Sequence, residues 1–150
     1  MTRVLVFGTF DILHPGHLSF LRQARRMGEW LIAAVARDCF VAAHKGRKPA
    51  NSERRRMQAV RATGLVDEVR LGDRVPGSYG ILGKTRPDVV CVGHDQQLLR
   101  ADLKAWLRRN GMPLMVRTLR AYRPDRYKSS KLAGGSQQAK TRASPGSGPR

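Results

Sequence analysis

The sequence predicts an α/β protein: a Rossmann-like open parallel sheet of about five strands with helices on both faces. Three observations predict it. Short apolar runs such as RVLVFG, EWLIAAVAR and PDVVCVG lack the alternation of a half-solvated strand and fit strands covered on both sides. Stretches between them carry apolar residues at helical spacing. The two kinds of segment also alternate along the chain, the order that builds a parallel sheet through crossover connections. Such a sheet places its ligands outside the carboxyl ends of the strands.

Each element follows in turn. Residues about 3 to 8, RVLVFG, form the first strand, ended by Gly8. From His17 to Met27, the residues Leu18, Leu21, Ala24 and Met27 recur at helical spacing with Arg and Gln between them. EWLIAAVAR is the second strand, followed by a basic loop, AHKGRKPA. Asn51 or Ser52 can cap a helix that carries ERRRMQAVRATG and stops at Gly64. VDEVRLG is a third strand, GSYGILGKTR a short helical or irregular piece, and PDVVCVG a fourth strand. QLLRADLKAWLRRNG is an amphipathic helix closed by Gly111, and PLMVRTL is the fifth strand. Beyond Leu132, Gly, Ser, Pro and basic residues show no aliphatic periodicity and cannot bury enough surface to offset ordering entropy. One domain over 1–132 and a disordered basic tail over 133–150 are therefore expected.

Composition narrows the function. A chain of 150 residues suits one domain, and its 41% hydrophobic fraction is ordinary for a globular protein. No apolar run approaches the roughly 20 residues needed to span a bilayer, so no membrane role is expected. MTRVLVFG lacks the features of a signal peptide, which points to the cytoplasm. Cys39 and Cys91 are far apart in apolar surroundings, as buried thiols would be, rather than parts of a disulfide framework or metal site. The net charge of +18 attracts polyanions, from nucleotides and flavin phosphates to nucleic acid and anionic membranes, without choosing among them. An Arg-rich solvated surface is the plainer alternative, and the tail would add weak polyanion affinity.

The chemistry concentrates in GTFDILHPGH. Gly8 ends a strand, and the turn after it brings backbone N–H groups to the top of the sheet. His17 lies at a helix start, where unsatisfied N–H groups and the helix dipole favour an anion. His14 and His17, three apart, can point at one object, and Gly16 lets that object approach the backbone. Together they describe a phosphate cradle that is neither a Walker loop nor a three-glycine dinucleotide fingerprint. Two alternatives stand beside it: a pair of capping histidines, or a metal site completed by His44, His94 or Asp95.

GTFDILHPGHLSFLRQA resembles the signature of the cytidylyltransferase-like nucleotidyltransferases, in which His-x-Gly-His follows the first strand. The resemblance extends to about residue 132. It implies that Thr9, Phe10, His14, Pro15, Gly16 and His17 hold the triphosphate, with His14 and His17 as electrostatic stabilisers. It also implies that Asp11 orders the turn or meets the acceptor, that Lys45 reaches the phosphates from the loop after the second strand, and that Arg54 lies near the acceptor, although Arg55 and Arg56 crowd that match. CVGHDQ is similar to the Gly-Tyr-Asp-Gln of archaeal FAD synthases, with His94 at the Tyr position and Asp95 on the nucleotide; a turn or helix cap is the other reading of Asp95. RAYRPDRYKSSKL resembles the family's second phosphate motif, carried by Ser129 and Ser130 with Arg123 or Arg126, while Tyr122 would line the adenine pocket or pack. The resemblance thus implies transfer of AMP from ATP to FMN, a divalent cation such as Mg²⁺ bound through the nucleotide phosphates rather than by a protein metal site, and a homodimer. A cytidylyltransferase acting with CTP on glycerol 3-phosphate is the alternative, and a nucleic-acid-binding protein using the basic charge is a third.

Overall fold

The computed structural model describes residues 1–122; Arg123, Arg126, Ser129, Ser130 and the expected tail lie outside the described residues. Five strands, β1 (Arg3–Gly8), β2 (Trp30–Val35), β3 (Glu68–Leu71), β4 (Val89–Val92) and β5 (Met115–Thr118), form one parallel sheet in the order β3-β2-β1-β4-β5. Five helices connect them: α1 (Pro15–Arg25), α2 (Asp38–Lys45), α3 (Glu53–Ala62), α4 (Gly80–Thr85) and α5 (Gln97–Arg109).

The pleat divides the core in two. Val4 and Val6 face one side with Phe20, Leu21 and Ala24 of α1 and Val60 of α3. Leu5, between them, faces the other side with Ile81 and Leu82 of α4 and Leu103 and Leu107 of α5. Alternate residues of one strand thus enter opposite layers, which is why the strand reads as a continuous apolar run. Each fully buried Val, Leu or Ile contributes about 1.5 to 3 kcal/mol of burial free energy, so the central strands hold the molecule together.

Several local expectations are corrected. DCFVAAHK forms α2 instead of joining the strand and loop around it, so Lys45 is the last residue of a helix. Gly46, at φ 71° just beyond, takes the left-handed cap conformation that suits glycine. In α1 the buried stripe is His17, Phe20, Leu21 and Ala24, leaving Leu18 at its margin. Ser52, not Asn51, caps α3, its hydroxyl accepting from Arg55 N at 3.2 Å, and that helix ends at Ala62, before Gly64. Cys39 is exposed, because the first turn of α2 points it outward; Cys91 is buried in β4 as expected.

The chain order reverses beside β1, whose neighbours are β2 on one side and β4 on the other. Connections from β1 and β4 therefore diverge there and leave a crevice at their carboxyl ends. Gln96 bridges this point: its side-chain oxygen accepts from Gly93 N at 2.8 Å, and its side-chain nitrogen donates to the Phe7 carbonyl at 3.0 Å. Among the described residues, no helix is long and apolar enough to cross a membrane.

Candidate active site

The turn after β1 is built around a tight packing contact. Phe10 adopts φ 51°, a left-handed backbone uncommon outside glycine, and its ring is fully buried, 5.6 Å from the ring of His17. That ring lies against Gly8, where an added Cβ would stand 2.6 Å from it. Phe10 can therefore meet a nucleotide only through its backbone. Strain of this kind persists where surrounding structure enforces it, typically at functional turns.

His14 is the N-cap of α1, with Pro15 in the first helical turn. Its Nδ1 accepts from Gly16 N at 3.0 Å, while His17 Nδ1 accepts from His14 N at 3.3 Å. The two imidazoles cap the helix reciprocally, their ring centroids 4.0 Å apart. A nitrogen that accepts from an amide cannot itself carry the proton, so both rings in their neutral form are protonated at Nε2. The capping reading and the phosphate reading are thus compatible: Nδ1 caps, and Nε2–H on the far side of each ring has the polarity a phosphate oxygen requires. The first turn of α1 contains no carboxylate to compete for that place, and the helix dipole favours the same anion.

Thr9 is buried, and its carbonyl accepts from Arg56 Nη1 at 2.8 Å. The Asp11 carboxylate accepts from Ala50 N and Asn51 N, both at 2.8 Å, tying the turn to the loop before α3. Partial burial pushes this carboxyl upward, but the two amides and the charge of Arg56 outweigh that and hold it below its ordinary value of 3.8. A depressed folded value means that the latch is fully present above the ordinary value and is lost as pH falls through the depressed one. The amide proton shifts of Ala50 and Asn51 should therefore titrate together, with a midpoint below 3.8, and Asp11→Asn should abolish that titration in an NMR series.

The remaining expected residues divide. Asp95 stands in the turn after β4 with both carboxylate oxygens shielded from water. Gln96, one residue further on, stands at the N-cap position of α5. Lys45 is exposed at the end of α2, which leaves β2 on the carboxyl side of the sheet. Arg54 is exposed and lines a groove with Met57, Arg61 and Leu71 beside the outer strand β3, away from the β1–β4 crevice. Tyr122 is half-buried where the chain returns toward α1; Gln23 both donates to the Arg120 carbonyl and accepts from Arg120 N. Sequence reasoning weighed Arg56 only as a rival to Arg54 and Asn51 only as a helix cap, and gave Gln96 no role of its own. A signal existed for Arg56, which lies four residues before buried Val60 and so on the same helix face.

Among the described residues no three His, Cys, Asp or Glu side chains converge as metal ligands. A magnesium ion bound through nucleotide phosphates would supply positive charge to the phosphate oxygens.

A parallel sheet with this crevice, and paired imidazole donors at a helix start beside it, defines a nucleotidyltransferase of the Rossmann-like class. The chain belongs to the cytidylyltransferase-like family, whose model matches residues 5–134. It is 40% identical over 131 residues to a FAD synthase of Thermococcus onnurineus, covering 87% of each chain. It is 44% identical over 116 residues to a FAD synthase of Methanosarcina barkeri, covering 77% of this chain and 81% of that one. Among solved structures it is similar to the lipopolysaccharide core biosynthesis protein of Thermoplasma volcanium, with a TM-score of 0.74 at 30% identity over 81% of this chain and 98% of the other. A pantoate–β-alanine ligase of Francisella tularensis, at 12% identity and a TM-score of 0.57, covering 81% of this chain and 60% of the other, shares the fold.

Proposed function

We propose that this protein transfers AMP from ATP to FMN, giving FAD and pyrophosphate. The observation that carries the reading is the close similarity to FAD synthases over 87% of both chains, and the histidine geometry supplies a mechanism for it. A phosphate oxygen of FMN attacks the α-phosphorus of ATP in line, a new P–O bond forms, and the bond to the pyrophosphate leaving group breaks. Negative charge grows on the α-phosphoryl oxygens and the bridging oxygen. The Nε2–H groups of His14 and His17, together with the amides at the start of α1, stabilise that charge from fixed positions. No covalent enzyme intermediate is required, because positioning and electrostatics carry most of phosphoryl-group catalysis. Lys45 adds charge from α2, and Asp95 contacts the nucleotide from the β4 side. The enzyme works in the cytoplasm on soluble substrates.

The test is pyrophosphate release with ATP and CTP crossed against FMN and glycerol 3-phosphate, in the presence of Mg²⁺. Release is expected with ATP and FMN, with FAD as the coupled product. Release confined to CTP and glycerol 3-phosphate would keep the mechanism and overturn the substrates.

A further inference from the structure

The segment between β2 and α3 carries much of the positive charge near the site yet has little core of its own. Of α2, Val41 is buried, whereas Ala43, His44 and Lys45 are exposed, as are Arg47 and Lys48 in the turn that follows. Both of its ends meet one side chain. Arg56, with no exposed surface, donates from Nη2 to the Asp38 carboxylate at 2.6 Å, where the segment begins. From Nε it donates to the Asn51 carbonyl at 3.0 Å, where the segment ends. Nη1 donates at 2.8 Å both to the Thr9 carbonyl, in the phosphate turn, and to the Ala36 carbonyl beyond β2. Two further contacts complete the frame: Glu53 accepts from Asp38 N at 2.7 Å, and Asp11 accepts from the amides of Ala50 and Asn51.

A buried guanidinium is costly unless its donors are used. Here Nε, Nη1 and Nη2 all donate, to acceptors in the phosphate turn, after β2 and at both ends of the basic segment. We infer that Arg56 is a positioning residue for the transfer reaction: through the Thr9 carbonyl and the Asp38 carboxylate it holds the phosphate turn and the Lys45-bearing segment in one geometry, without touching the nucleotide. The inference rests on the proposed nucleotidyl transfer and adds to it a residue from outside the phosphate cradle. Lysine cannot replace it, since a single ammonium cannot reproduce a planar fork directed at acceptors on several sides.

The experiment compares Arg56→Lys and Asp38→Asn with the wild type, well below the melting temperature of each. Steady-state kinetics are read alongside hydrogen exchange by mass spectrometry, with and without ATP. Displacements of about 1 Å at a reacting centre can cost on the order of 10²-fold, and Arg56→Lys is expected to lose about that in kcat/KM, with KM for ATP raised. Asp38→Asn should shift in the same direction by less, and it carries the test if Arg56→Lys fails to fold. Exchange over 38–51 should quicken in the variants while β1 and β4 stay protected, and ATP should slow it in the wild type but not in the variants. Lys45→Ala should cost markedly less in the Asp38→Asn background than alone, a non-additivity that a purely structural role would not produce. Folded variants with lowered melting temperature but unchanged KM, kcat and exchange over 38–51 would overturn the inference. Because the exchange arm needs ATP alone, it gives its answer even if FMN proves to be the wrong acceptor.

Discussion

His17→Ala is expected to lower turnover on the order of 10²- to 10³-fold, the usual cost of losing one preorganised donor to a charge that develops in the transition state. The side chain is 4% exposed, so a water cannot simply take over its position in the open. Two effects add. The Nε2–H donor disappears, and the Nδ1 that accepts from the His14 backbone N at 3.3 Å is lost together with the ring that lies 4.0 Å from the His14 imidazole. His17→Gln tests the division, because a carboxamide can restore a donor without the ring packing on Phe10. Single-turnover measurements with saturating ATP read the chemical step directly. If the histidines served only as helix caps, His17→Ala would lower the melting temperature and leave the rate per folded molecule unchanged.

Gly8→Ala is expected to damage both stability and catalysis, although it adds one methyl group. That methyl would lie 2.6 and 2.7 Å from two atoms of the Phe10 ring, which is enclosed and cannot retreat into solvent. Overpacking of this kind typically costs about 1 to 3 kcal/mol, to be read as a lower urea midpoint at unchanged slope. The ring must also shift relative to His17, so activity should fall by more than the folded fraction does. A variant with wild-type stability and turnover would show that the turn tolerates a displaced Phe10 and that its strained backbone has no bearing on the phosphate cradle.

Much of the architecture is legible in the sequence because both central faces are covered. RVLVFG, WLIAAV and VVCV can be stable only as strands buried on both sides, and the helices between them announce themselves by periodicity and by Ser52 or Gly111 at their ends. The turn after β1 is legible because helix starts and glycines have local geometry. DCFVAAHK is less so: it buries Val41 alone among its residues, and its apolar pattern runs on directly from β2. Tertiary partnership is the other gap. Charge and helix propensity leave Arg54, Arg55 and Arg56 equivalent and only the spacing of Arg56 to Val60 sets it apart, yet one is exposed beside β3 and another is enclosed among three backbone carbonyls and a carboxylate. Likewise the partners of Asp11 in ordering its turn, Ala50 N and Asn51 N, lie some forty residues away and are found only in the fold.

The two cysteines give this molecule a reporter that need not be engineered. A thiol reacts as its thiolate, and burial pushes that of Cys91 up to about 11, which disfavours reaction there at neutral pH. Cys39 stands exposed in the first turn of α2, next to Asp38. A maleimide dye added to the unaltered chain therefore marks one position, on the segment that carries Lys45. The natural sequence thus carries its own attachment point for a probe on that segment.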